Sequence, residues 1–337
     1  MENNLPATEA QLRDASEPAA SSATSYRAFA VRFGLGFAIV GFLLWRFDAR
    51  PALHLLARER LIYFGAAIAI FLAGQFLCFW RWQLLAAALN INGTFPEFIR
   101  YGFIGLFTNR FVPGLIGGDA ARAFYLGRRH GKIGEAVATT VADRAYGLLG
   151  LCWFAAIIAV TMNHGRLEPK VIRPIVMVGV AGFLGYLASP IIARLIHLTP
   201  RPLRRALGII APYLHKPAAV LPAIILSMLL QVFLALCQYV LALGLGLHLP
   251  LSIFMLVVPV SGVLASLPLT LNGLGLREAA YLYLFGMSGV GRDDAIALGL
   301  LFFVATMIAG LFGAIAFVTT EVPTSHLPVE SGLPTAV

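Results

Sequence analysis

Four stretches of this chain carry no charged residue over a length that crosses a membrane: Leu61 to Trp80, Pro174 to Ala193, Ala218 to Leu247 and Ala295 to Thr320. A helix needs ~20 apolar residues to pass through ~30 Å of hydrocarbon. A core helix of a water-soluble domain seldom runs so far without a polar face. Charged residues make up 12% of the 337 residues, about half the usual share, so the polar surface of a soluble domain is missing. The fold class is therefore all-α, a polytopic integral membrane protein.

The chemistry-bearing residues exclude several functions. Cys78, Cys152 and Cys237 all fall inside apolar runs, where a thiol packs as a small hydrophobe and no disulfide framework is implied. The seven histidines are scattered singly without metal-ligand spacing. Neither a nucleotide loop nor a zinc motif is present, so no cofactor and no metal is expected. The net charge of +9 follows from basic loops facing an anionic cytoplasmic leaflet and needs no nucleic acid.

Residues 1–27, rich in Ala, Ser and Glu, read as a disordered cytoplasmic tail, and residues 321–337 as a second loose tail. Between them, residues 28–320 form one transmembrane domain. Six full spans are expected: Ala28 to Phe47, Leu61 to Trp80, Glu135 to Val160, Pro174 to Ala193, Ala218 to Leu247 and Ala295 to Thr320. Arg81 and Trp82, at the foot of the second, read as an interfacial anchor. With the N-terminus inside, fourteen Lys and Arg residues fall on cytoplasmic segments and eight outside, which favours that orientation.

Two further segments are apolar but broken. The first, Tyr101 to Gly134, contains Asn109, Arg110, Pro113, Gly114, Gly117, Gly118 and Asp119. The second, Leu251 to Gly289, contains Pro259, Pro268, Asn272, Gly273, Gly275, Arg277 and Glu278. A lipid-facing helix interrupted in this way leaves backbone groups unpaired, so both read as broken or re-entrant helical elements. Each runs from a proline through a glycine pair to a charged residue opening a helix, and three full spans separate them. Such paired interruptions of opposite orientation point to a transporter built on an inverted repeat.

The same residues suggest an anion site. Glycines before a helix bare backbone N–H groups at its positive end. Arg122 and Arg277, within a turn of these starts, are placed to hold a phosphate bidentately. Asp119 and Glu278 balance them, and Asp119 also serves as a cap; the glycines equally suit close helix packing. Asp143 and Arg144 lie ~12 Å into their span, where each costs ~2.5–3.5 kcal/mol on insertion scales. Neighbours on a helix point ~100° apart, so each calls for a partner elsewhere, among them Arg110, Arg122 or Glu278. The candidate substrate-binding set is thus Asn109, Arg110, Pro113, Gly114, Gly117, Gly118, Asp119, Arg122, Asp143, Arg144, Asn272, Gly273, Gly275, Arg277 and Glu278.

Phe107-Thr-Asn109, Val112-Pro-Gly114, Gly117-Gly-Asp119, Arg122, Asp143-Arg144 with Gly147, and Leu267-Pro with Asn272-Gly-Leu-Gly275-Leu-Arg-Glu278 together resemble the lysylphosphatidylglycerol synthase transmembrane family, the flippase-like region of bacterial multiple peptide resistance factors. The resemblance runs from about residue 30 to 320. It implies a protein of the bacterial or archaeal cytoplasmic membrane, with about eight helical segments including broken ones. In the best-known members this region moves an aminoacylated phospholipid between leaflets. The chain ends soon after its last span, without room for the soluble aminoacyl-transferase domain, and Arg110 departs from the pattern. A hopanoid, a polyprenyl-linked sugar or another glycolipid therefore stands beside lysylphosphatidylglycerol as substrate.

The expected function is a lipid flippase or transporter, not an enzyme, in the inner membrane. Its partners are membrane lipids with anionic or phosphate-bearing headgroups and a lipid-modifying enzyme. A membrane transferase acting on a polyprenyl carrier is the alternative, disfavoured by short outside loops with few acids. An accessory subunit of a glycolipid-synthesis complex is a third, at odds with charges inside the spans.

Overall fold

In the computed structural model the described residues are 60–111, 117–163, 165, 167–195, 208, 210–266 and 276–321, with backbone alone described at 110, 111, 217–219, 265 and 276–278. Among them every regular element is an α-helix: α1 Leu61–Ala88, α2 Phe95–Phe111, α3 Gly117–His130, α4 Ile133–Thr161, α5 Pro169–Leu187, α6 Ser189–Leu195, α7 Pro217–Gly244, α8 Leu251–Ala265, α9 Leu276–Met287 and α10 Arg292–Thr319. Five of these (α1, α4, α5, the Val220–Gly244 part of α7, and α10) are long and apolar enough to cross a bilayer. The sixth expected span, Ala28 to Phe47, and both tails except Glu321 lie outside the described residues.

The packing is that of a membrane bundle. Its outer surface presents large apolar side chains such as Met177, Leu184, Ile225 and Ile315, each more than half exposed, which only lipid would solvate. Helices approach through small residues, as membrane helices do when packing and not water exclusion drives association. A Cβ on Gly74 of α1 would come within 3.0 Å of Leu230 of α7, and the Cys237 thiol of α7 reaches the Ala67 carbonyl 3.3 Å away. Gly150 of α4 seats directly on Ser227 of α7, and Gly179 of α5 on Ala156 of α4.

The expected span Pro174 to Ala193 is corrected at its C-terminal end. The helix ends at Leu187 and restarts as α6 at Ser189. Pro190 has no N–H to continue the ladder, and its ring would meet the carbonyl four residues back. The break falls in the turn before it.

The α2–α3 element is a hairpin. Tyr101 stacks on Tyr125 at 5.7 Å between ring centroids, and Gly105 lies against Gly118 and Arg122. Contacts that advance along α2 while retreating along α3 require antiparallel legs, so the chain returns to the end it left. There, Glu97 accepts from the Thr94 backbone N–H (2.8 Å) as the N3 residue of a capping box. It also pairs with Arg129 of the returning leg at 3.4 Å. The same end gathers the C-terminus of α1 and the starts of α4 and α7: Lys132 Nζ donates to the Asn90 carbonyl (2.9 Å) and Lys216 Nζ to that of Ala88 (2.8 Å).

The second broken element is also a hairpin. Phe254, near the start of α8, touches Phe285, near the end of α9, with centroids 5.6 Å apart. It opens toward the opposite end of the bundle, where α4 and α7 finish and α10 begins. Turns at both ends close the same way: a left-handed residue (Asn90, Gly131, Gly246 or Gly289) lets the next N–H bond back five residues, as in Leu247 to Ala242 at 2.9 Å.

Candidate functional site

A chain of five charged side chains runs through the bundle where α1, α3 and α4 meet. Asp143 of α4 is 3% exposed and receives a guanidinium on each oxygen. Arg81 Nε donates to Oδ1 at 2.7 Å, and Arg122 Nη2 to Oδ2 at 3.0 Å. Arg81 Nη1 also donates to Ser227 Oγ of α7 at 2.9 Å. On the far side of Arg122 lies Asp119, with Oδ1 3.1 Å from Nη2, and its Oδ2 accepts from Arg144 Nε at 2.6 Å.

The local sequence explains the layout. Asp119 and Arg122 are three apart on one face of α3, the spacing at which helical neighbours meet. Asp143 and Arg144 are adjacent, point different ways, and take different partners. Gly147, one turn beyond Asp143, leaves room for Arg81: a Cβ there would stand 3.0 Å from its Nη1. Trp82, fully buried, fixes the neighbouring helices by donating from Nε1 to Thr139 Oγ1 (3.0 Å) and packing its edge on Phe98. Arg122 lies 4.8 Å over its ring, a cation–π contact.

Arg81 and Trp82 therefore correct the sequence reading. They are 7% and 0% exposed and form the centre of a buried network, not an interfacial anchor. The available signal was that α1 continues helical past Trp80, to Ala88, so Arg81 has no loop to occupy. Sequence reasoning missed Arg81 as a site residue by ending the span at Trp80, and Ser227 because only packing between helices brings it to Arg81.

Of the candidate set, the fold brings together Asp119, Arg122, Asp143 and Arg144 in the network. Gly118 lies within packing distance, its Cα facing the Gly105 carbonyl and the Asn109 side chain. Gly117 is the first residue of α3. Pro113, Gly114, Asn272, Gly273 and Gly275 lie outside the described residues, as do the side chains of Arg110, Arg277 and Glu278.

Two properties set what the arrangement does. First, among the described residues the cluster holds three arginines against two aspartates, one positive charge in surplus. Second, that surplus is not sealed in. Arg81, Arg122 and Asp143 are buried, whereas the Arg144 side chain is 61% exposed. It sits in the outward stripe of α4 between Val137, Val141 and Leu148, each about two-fifths exposed. Arg144 is eleven residues into α4, ~16 Å along its axis, beyond easy reach of the interface.

Beside this stripe, Ala145 and Leu149 line a mostly apolar cavity of about 220 Å³ shared with Tyr146, Gly182, Tyr186, Ser189 and Tyr213. Arg144 does not line this cavity; its exposed guanidinium stands next to it, on the apolar stripe of α4.

Comparison with known proteins agrees with this architecture. The chain is 24% identical over 276 residues to a UPF0104 membrane protein of Methanothermobacter thermautotrophicus, covering 70% of this chain and 78% of the relative. It is 27% identical over 123 residues to a UPF0104 membrane protein of Pyrococcus horikoshii, covering 36% of this chain and 37% of the relative. No solved structure matches it. Residues 29–313 match the family model described as the lysylphosphatidylglycerol synthase TM region, and the chain belongs to that family of multi-pass membrane proteins.

Proposed function

We propose that this protein carries a lipid with a phosphate-bearing headgroup from one leaflet to the other, making and breaking no covalent bond. The observation that carries the reading is the surplus positive charge of the arginine–aspartate chain, presented at bilayer depth by Arg144. A cation on an outward apolar stripe costs ~2.5–3.5 kcal/mol and is offset when an anionic headgroup comes to it. Hairpins opening to opposite ends of the bundle support an inverted repeat, the architecture in which a midplane site is reached alternately from each side. Among the described residues, the bundle end that holds Arg100, Arg128, Arg129, Lys132 and Lys216 is the richer in basic residues. That makes it the cytoplasmic face under the positive-inside rule, in a cell inner membrane. A lipid-modifying enzyme on that side would supply the substrate.

The test is leaflet exchange of fluorescent lipids in proteoliposomes, with anionic, aminoacylated, polyprenyl-phosphate and phosphate-free headgroups compared. Exchange above that of protein-free vesicles, selective for phosphate-bearing headgroups, is expected. A monodisperse, folded protein that exchanges none of them overturns the proposal.

A further inference from the structure

The pairing within the charge network is incomplete in one place. Asp119 Oδ1 and Arg122 Nε are both buried and neither has a hydrogen-bond partner. Arg122 itself is 8% exposed. The Oδ1 to Nη2 separation is 3.1 Å, yet Nη2 directs its hydrogen bond to Asp143. Asp119 Oδ1 thus has an ion-pair contact without a hydrogen bond, beside a donor, Arg122 Nε, whose unmade bond costs ~1–3 kcal/mol. The other oxygen of Asp119 is engaged at 2.6 Å by Arg144.

We propose that Asp119 is an exchangeable counter-ion: the phosphate of a membrane lipid displaces it from Arg144, and Asp119 then turns to complete the guanidinium of Arg122. The proposal rests on the transport reading for its choice of ligand. Charge complementarity and position select that ligand. Before binding, Asp119 serves Arg122 and Arg144 and Asp143 serves Arg81 and Arg122, so among the described residues three arginines face two aspartates and one positive charge is unmatched. A phosphate on Arg144 matches it, and Asp119 on Arg122 satisfies both orphan atoms. The headgroup comes to the exposed face of α4, against which α3 and α5 both pack. The alkyl chains lie along Val137, Val141 and Leu148. Arg144 is the ligand-touching residue and Asp119 the positioning residue that holds it until a lipid arrives.

The experiment measures lipid binding to the purified full chain in uncharged detergent, by thermal-stability shift. Dioleoylphosphatidylglycerol is compared with dioleoylglycerol, which lacks phosphate, and with glycerol phosphate, which lacks chains. The wild type should be stabilised by the phospholipid and by neither control. Arg144→Gln should weaken this binding about tenfold or more, the worth of a charged hydrogen bond. Arg144→Lys should restore part of it. Asp119→Asn should tighten binding several-fold, because it removes the competitor for Arg144.

The opposite signs of Arg144→Gln and Asp119→Asn are the signature. If both weaken binding, Asp119 is merely structural and the exchange is wrong. If Arg144→Gln binds as wild type does, or changes the oligomeric state in place of lipid binding, the site is wrong. Arg144 is exposed, so its replacement does not threaten folding, and elution as a monodisperse peak checks Asp119→Asn. Opposite signs without leaflet exchange would strike the transport reading alone. Exchange unimpaired by Arg144→Gln would strike this inference alone.

Discussion

Asp143 receives hydrogen bonds from Arg81 on one oxygen and Arg122 on the other, in a setting where neither arginine reaches water. Replacing it with Asn removes a negative charge, strands the buried Arg81 guanidinium and leaves Arg122 with Asp119 alone. Breaking a buried ion pair costs about 3–5 kcal/mol because the remaining charge stays desolvated. Asp143→Asn should therefore lower thermal stability in detergent far more than Arg144→Gln, although the two residues are adjacent. Unfolding followed by intrinsic fluorescence gives the comparison. Equal losses would mean that Arg144 is as structural as Asp143. The contrast follows from exposure, since one residue closes the network and the other opens it.

At the scale of elements, the α2–α3 hairpin depends on bare backbone where its legs cross. A Cβ on Gly118 would collide with the carbonyl of Gly105 and the side chain of Asn109. Gly118→Ala should force the legs apart and destabilise by ~1–3 kcal/mol, the usual range for overpacking. Gly65 in α1 is a control, because nothing lies within 4 Å of its added methyl. Gly65→Ala should be neutral or stabilise by up to ~1 kcal/mol through helix propensity. Thermal unfolding of both variants checks the pair. Lipid exchange should fall with Gly118→Ala, since Asp119 and Arg122 ride on the same leg.

For the whole molecule, the hairpins determine which loops share a face. Single cysteines at Gly93, Gly131 and His215 in a cysteine-free background should label from one side of the membrane. Those at Gly165, Gly246 and Gly289 should label from the other. Labelling of Gly93 and Gly131 from opposite sides would mean that α2–α3 crosses the bilayer, and the described hairpin would be wrong. The native cysteines are a small complication for such work, since Cys152 and Cys237 are buried and Cys78 is partly so.

The amino-acid sequence alone determined the class of the protein. Uncharged runs of twenty or more residues have only one solvent that suits them, and that inference needs no contacts. It also located the first chain break, because Pro and Gly act on their own backbone within a turn or two. Asp143 and Arg144 stood out as charges in a span for the same local reason. The sequence named Arg122 among their possible partners, and Arg122 does bond Asp143; what it did not contain was the second partner of Asp143. Arg81 pairs with Asp143 across 62 residues, and only the packing of α1 against α4 and α7 turns a residue at the end of an apolar run into a buried partner. The tertiary structure likewise decided that Asp119 serves Arg144 while its second oxygen waits beside Arg122. Electrostatic pairing depends on distance in space, and in a helical bundle that distance is fixed by packing between segments, not by order along the chain.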